Sequence, residues 1–394
     1  MTPTPSMRLR VLAFVLVVIG CAAGIAGYAR HVMHPPEAPA PAAAASVALV
    51  APAASVAATL PGTPAASAPS MPSLRTAASA APAVPGASAS RRGAAAPVAS
   101  AARPSLLIRS TALGDSYGHV TRAWLDDPEG PREVAPLACD RVHFAAGSGI
   151  CLAAERGALT VYRAVLFDAH FAPRKTIALA GPPSRARVSP DGRLAAFTVF
   201  INGHAYSMPS FTTRTTIVDA ISGDTLVDDL EAWPVIRGGE AFKAADFNFW
   251  GVTFNHDGTR FYATLGSGGK TWLVEGDFAH RQLRVIADDV ECPSLSPDGR
   301  RIGFKRRDTA NPGGRFTWHV AVLDLASGQV RVLPGESRSV DDQVEWNGND
   351  ELLYAMPLDS QQSSAETDVW AIAADGKTPA RRLARFAFSP AVLR

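Results

Sequence analysis

Cysteine is scarce, charge of either sign is in little excess, and no long helical period runs through this chain. Its 394 residues hold four cysteines, Cys21, Cys139, Cys151 and Cys292, none in a Cys-x-x-Cys pair. A structural zinc site of the usual spacing is therefore excluded. The net charge of +2 supplies no field to draw in a polyanion, and the arginines are not clustered. Nucleic-acid binding has no support. No Gly-x-Ser-x-Gly nucleophile elbow occurs, and the nine histidines form no His-Glu-x-x-His arrangement. Neither a catalytic motif nor a cofactor motif remains, so no cofactor is expected.

The chain is not uniform. Residues 1–10 carry Arg8 and Arg10 and read as a cytoplasmic N-terminus. Residues 11–29 are almost continuously apolar, and at 1.5 Å per residue they reach about 28 Å, enough to span a bilayer. The expectation is a transmembrane anchor. Two other readings stay open: a cleaved signal peptide, and a lipoprotein signal in which Val18-Ile-Gly-Cys21 presents Cys21 for lipidation. Each puts the remainder on the extracytoplasmic side of the cell membrane. Residues 30–104 are dominated by Ala, Pro and Ser, and Glu37 is their one acidic residue. Such a segment cannot bury enough surface to offset its ordering entropy. It reads as a disordered linker, reaching on the order of 50 Å as a coil.

Residues 105–394 repeat. Ser189-Pro-Asp-Gly192, Asn255-His-Asp-Gly258 and Ser296-Pro-Asp-Gly299 each stand between apolar segments, with weaker copies at Asn347-Gly-Asn-Asp350 and Ala145-Ala-Gly147. Pro presets φ, Asp bonds its own backbone and Gly takes positive φ, so each unit is a hairpin turn. Alternating stretches follow at 216–220, 271–275, 319–323 and 368–372 as third strands, with 282–286 and 329–333 as fourth strands. Four strands per 40 to 50 residues is the arithmetic of a β-propeller. The turns count five blades. A sixth is expected from 368–372, 380–383 and 389–394, with 105–109 supplying the missing strand and closing the ring. Asp191 and Asp257 lie 66 residues apart, against 41 for Asp257 and Asp298, which places insertions around 202–210 and 233–247.

The Ser-Pro-Asp-Gly hairpins resemble the repeats of TolB-type propellers. Cys139-Asp-Arg-Val-His-Phe-Ala-Ala-Gly147, Glu291-Cys-Pro-Ser-Leu-Ser-Pro-Asp-Gly299, Ser339-Val-Asp-Asp-Gln-Val-Glu-Trp346 and the terminal Ser389-Pro-Ala-Val-Leu-Arg394 resemble the TolB-like "translocation proteins" of actinobacteria. The resemblance implies an all-β, six-bladed ring outside the cytoplasm and brings no activity with it. TolB works with the Tol–Pal envelope system and has a small α/β domain before its propeller. Here the linker takes that place.

Several residues invite chemistry. Gly266-Ser-Gly-Gly-Lys-Thr271 suggests a phosphate loop, but Thr264 stands where that motif needs Gly, and strands flank it. It reads as a hairpin turn. Asp341-Asp342 suggests a cation site, yet neighbours on an extended strand diverge. In an oxidising compartment Cys139 pairs with Cys151 if the chain folds back before Arg141; Cys139 with Cys292, or free thiols, are the alternatives. A turn at Gly147-Ser148 would set Cys151 opposite Phe144. The strand before each turn should line the central channel, with Arg141, Arg185, Trp250, Glu291 and Asp342 at its entrance. That surface suits a protein or peptide partner of the cell envelope, bound by a monomeric scaffold rather than an enzyme. A channel-mouth lyase or hydrolase, and the sensor domain of an envelope complex, are the competing functions.

Overall fold

The computed structural model describes residues 103–206, 210–308, 316–358 and 365–394. The expected anchor at residues 11–29, Cys21, and the linker apart from residues 103 and 104 lie outside them. Among the described residues no helix is long and apolar enough to cross a membrane.

Six sheets form a ring. In chain order the first complete one runs β4 (Arg141–Ala145), β5 (Ser148–Glu155), β6 (Val161–Asp168) and β7 (Pro173–Ala178). The next is β8 (Pro183–Val188), β9 (Leu194–Asn202), β10 (Thr212–Asp219) and β11 (Thr225–Val227). The fourth blade has β14 (Asn248–Phe254) innermost, then β15 (Arg260–Ser267), β16 (Lys270–Asp277) and β17 (Gln282–Asp288). The fifth is β18 (Glu291–Leu295), β19 (Arg301–Arg307), β20 (Trp318–Asp324) and β21 (Val330–Val332). The sixth is β22 (Glu345–Asn347), β23 (Glu351–Pro357), β24 (Thr367–Ala373) and β25 (Arg381–Ala384). The innermost strands touch in a closed cycle.

The remaining blade closes the ring. The C-terminal strand β26 (Ala387–Leu393) is innermost and pairs antiparallel with β1 (Ser105–Ser110), followed by β2 (His119–Trp124) and β3 (Glu133–Ala138). The expected pairing of 105–109 with 389–394 is present. The grouping differs: 368–372 and 380–383 complete the Asn347 blade, while β2 and β3 fill the closing blade. No Ser-Pro-Asp-Gly turn announces β2 and β3, so counting turns passed over them.

The turn chemistry explains the repeat. Ser189 Oγ donates to Asp191 Oδ1 (2.5 Å) and accepts the Leu194 amide (2.9 Å), while Asp191 Oδ1 also takes the Arg193 amide (3.1 Å). Ser296, Asp298, Arg300 and Arg301 repeat the same set. Asn255 replaces Ser in the middle copy, its Oδ1 accepting the Arg260 amide at 2.9 Å. Gly192 sits at φ +72°, and a Cβ there would meet the Ala146 carbonyl oxygen at 2.7 Å. The turn is thus confined to Gly by conformation and by space.

The insertion near 233–247 becomes a hairpin, β12 (Val235–Arg237) and β13 (Glu240–Phe242). β12 pairs parallel with β17, so the fourth blade has six strands and its outer edge is extended. Between blades, side chains interleave: Ile150, Leu152 and Leu166 pack with Val188, Phe197 and Val218. Each such burial stabilises by about 1.5–3 kcal/mol.

Three innermost strands carry the same distortion. Gly251 in β14 (φ +67°), Cys292 in β18 (φ +50°) and Ser389 in β26 (φ +52°) are left-handed, each beside a register shift. These are β-bulges, and they bend the strand where it passes the axis.

Candidate functional site: the two ends of the central channel

The five residues expected at a channel entrance do converge, at the end where the innermost strands begin. Arg185, Trp250, Glu291 and Asp342 are, however, only 5, 2, 2 and 3% exposed. Arg141 Nη1 donates to Asp342 Oδ1 (2.9 Å), and Asp342 Oδ2 accepts the Ala355 amide (3.1 Å). Arg185 Nη2 reaches Asp341 Oδ1 at 3.2 Å, and the fully buried Lys305 binds the same oxygen. Glu291 lies 3.6 Å from Lys305 Nζ and 3.5 Å from Arg307 Nε. Arg141 also stacks on Phe388, and Arg185 on Tyr206, whose ring packs 5.0 Å from Trp250. This is a plug of matched charges roofed by aromatic rings.

Electrostatics fits that description. Burial alone would raise the Asp341 carboxyl, but Lys305 and then Arg185 bring it down to about 2. Burial likewise opposes the Lys305 ammonium, yet Asp341 holds it above its ordinary value. Asp341 and Asp342 take different cations, so they do not converge on one point. Among the described residues no group of three or more His, Cys, Asp or Glu is placed to hold a metal ion. Cys292 is a free, buried thiol beside Arg185 Nε (3.4 Å).

Cys139 and Cys151 form a disulfide with Cα atoms 5.4 Å apart. Asp140 N–H donates to the Leu152 carbonyl (2.7 Å), so the chain does fold back before Arg141. The turn falls one residue earlier than expected. Ala146 (φ +43°) and Gly147 (φ +81°) occupy its centre, Ala145 pairs with Ser148, and Cys151 stands opposite Val142 instead of Phe144. The Gly-rich segment 266–271 is the β15–β16 hairpin, with Gly268 and Gly269 at positive φ.

The opposite end, where the repeat turns lie, is open. A funnel of about 530 Å³ is walled by Phe254, Leu295, Trp346, Val392 and Leu393. All six innermost strands contribute to it, and His256 and Pro297 stand on its rim. His143, Arg187 and Glu345 form its floor. Arg187 reaches across the channel, Nη1 bonding Glu345 Oε2 and Nη2 donating to the Val344 carbonyl (3.0 Å). The Val188 amide donates to His143 Nδ1 at 3.0 Å. His143 Nε2 lies 3.0 Å from Arg187 Nη1 and 3.5 Å from Glu345 Oε2. Burial, then the Arg187 guanidinium, pull His143 down, so it is neutral at pH 7. Burial would raise Glu345, but Arg187 and His143 take it to about 2. Both nitrogens of His143 face protein groups, and in this arrangement the ring offers no lone pair to a substrate.

Sequence reasoning passed over these three floor residues. Two of them carried a signal: His143 and Arg187 lie two positions beyond Arg141 and Arg185, hence on the same channel-facing side.

Fold and channel together define a six-bladed, C-terminally closed β-propeller with one plugged and one open end. No family model matches the sequence, and no curated protein matches it. Among solved structures the chain is similar to TolB from Acinetobacter baumannii, at 16% identity and a TM-score of 0.49. That match covers 74% of this chain and 66% of the other, so the chain spans slightly under two thirds of that relative's length. It is also similar to a chain of a nidogen/laminin complex (14% identity, TM-score 0.47, covering 73% of this chain and 98% of that one). A putative TolB from Agrobacterium tumefaciens is a third (11% identity, TM-score 0.42, 71% and 88% covered). Other solved propellers of similar shape are enzymes, a lyase and a hydrolase among them. At these identities the likeness concerns the fold alone.

Proposed function

We infer that this propeller is a protein- or peptide-binding module whose partner enters the turn-side funnel. The observation that carries the reading is the funnel itself: an open, largely apolar cavity of about 530 Å³ with fixed polar groups at its base. Such a cavity takes an apolar side chain and satisfies a polar tip. Arg141, Arg185, Trp250, Glu291 and Asp342 serve it as the closed end that fixes the innermost strands. Residues 11–29 hold the module to the cell membrane and residues 30–104 tether it on the extracytoplasmic side. The Cys139–Cys151 disulfide supports that placement, because such bonds persist in oxidising compartments.

A photo-crosslinking residue at His256, on the funnel rim, tests the reading against one at Leu159, exposed on an outer loop. The expected result is an adduct from position 256 alone, lost when Leu295→Arg fills the funnel. Equal adducts from both positions, or an adduct indifferent to Leu295→Arg, would refute it.

A further inference from the structure

A second cavity, of about 290 Å³, lies between the closing blade and the connection that enters it from the sixth blade, residues 385 and 386. Ser110, Ser116, Thr121, Glu129, Arg132 and Phe386 line it. Thr121 is 2% exposed, and its hydroxyl is buried without a hydrogen-bond partner. A buried orphan hydroxyl costs roughly 1–3 kcal/mol, and a methyl group in its place would remove that cost. The groups around it are held in position. Arg132 Nη2 donates to the Arg385 carbonyl (2.7 Å), and Glu129 Oε1 accepts the Arg385 amide (2.9 Å). Ser110 and Ser116 share a hydrogen bond at 3.2 Å. The Phe386 amide is fixed by Asp368 Oδ1 at 2.9 Å.

The chemistry is mixed. A carboxylate accepts, a guanidinium donates, and three hydroxyls do either. Phe386 adds an apolar face. Glu129 offsets one of the two lining arginines; Arg132 is engaged on the Arg385 carbonyl, Arg385 lies over the Phe386 ring at 5.0 Å, and Asp368 behind the groove pairs with Arg382. A sugar ring has the complementary set: hydroxyls around its rim and an apolar C–H face. We propose that this groove binds a neutral sugar unit, with Glu129 and Arg132 on its hydroxyls, Thr121 completing the set and Phe386 against its face. The site is separate from the funnel and independent of what the funnel holds.

The test is isothermal titration calorimetry of the full chain with methyl β-glucoside, N-acetylglucosamine and inorganic sulfate as probes. At least one sugar should bind, and sulfate should not. Thr121→Val and Glu129→Gln should each weaken sugar binding about tenfold, the loss of one hydrogen bond to a charged or buried group. Thr121→Val should also melt no lower than the parent chain, which separates lost binding from lost folding. Binding by neither sugar, binding unchanged in both variants, or binding of sulfate alone would overturn the assignment.

Discussion

Gly251→Ala places one methyl group where the innermost strands bend. Gly251 lies at φ +67°, and an added Cβ would meet Cys292 Cα at 2.7 Å. Two costs follow. A side chain in the left-handed region costs roughly 1–2 kcal/mol. Forcing an atom into a filled interior costs about 1–3 kcal/mol more. The sum is a loss of about 2–5 kcal/mol. Cys292 and Ser389 hold the same conformation with side chains present, so conformation alone is tolerated. What differs at Gly251 is the approach of neighbouring backbone. The clashing atom is a Cα, and trimming the Cys292 side chain cannot relieve it. Urea unfolding followed by tryptophan fluorescence reads the effect in Gly251→Ala, Cys292→Gly and the double variant. A Gly251→Ala loss below about 0.5 kcal/mol, the usual range for an unconstrained surface change, would refute the reasoning. So would rescue by Cys292→Gly.

Opening the Cys139–Cys151 bond, which closes a short loop of sequence separation 12, should destabilise the propeller by about 3 kcal/mol. Urea midpoints with and without reductant measure it, and coincident midpoints would contradict the constraint. Glu345→Gln leaves the Arg187 guanidinium buried without its counter-ion and should cost about 3–5 kcal/mol, read by the same unfolding curves. Acid should unfold the protein through its channel carboxylates. Glu345 and Asp341 are held at about 2, below their ordinary 4.5 and 3.8. Their contribution is complete above those ordinary values and is lost as pH falls towards 2. Urea midpoints should therefore drop between about pH 5 and 2, less steeply in Glu345→Gln; a flat profile would count against the charge pairs.

The fold was legible where turn chemistry repeats. Ser189, Ser296 and Asn255 announce their hairpins because a side-chain oxygen and a Gly are both needed there. β2 and β3 lack that signature, so the closing blade was read from its ends and not from its middle. The candidate site was legible in part. Strand polarity placed Arg141, Arg185, Glu291 and Asp342 at one end of the channel. It could not show that Lys305, which faces Glu291 across their own blade, and Asp341, which meets Arg185 and Lys305 from other blades, would neutralise them. For His143, Arg187 and Glu345 what stayed hidden was their partnership, which crosses the channel and joins residues over 200 positions apart in sequence between β4 and β22. The sugar-sized groove had no sequence signal, because Thr121 is an ordinary strand residue until its hydroxyl is found without a partner.

The central claim is that the channel is sealed at the plug and open at the turns. Thiol labelling of the folded chain, mapped by peptide mass, tests it directly. Native Cys292 lies in the plug, and a cysteine introduced by Leu295→Cys lies in the funnel three residues along the same strand. Leu295→Cys should label rapidly, while Cys292 should wait for the protein to open. Equal labelling rates at the two positions would contradict the account.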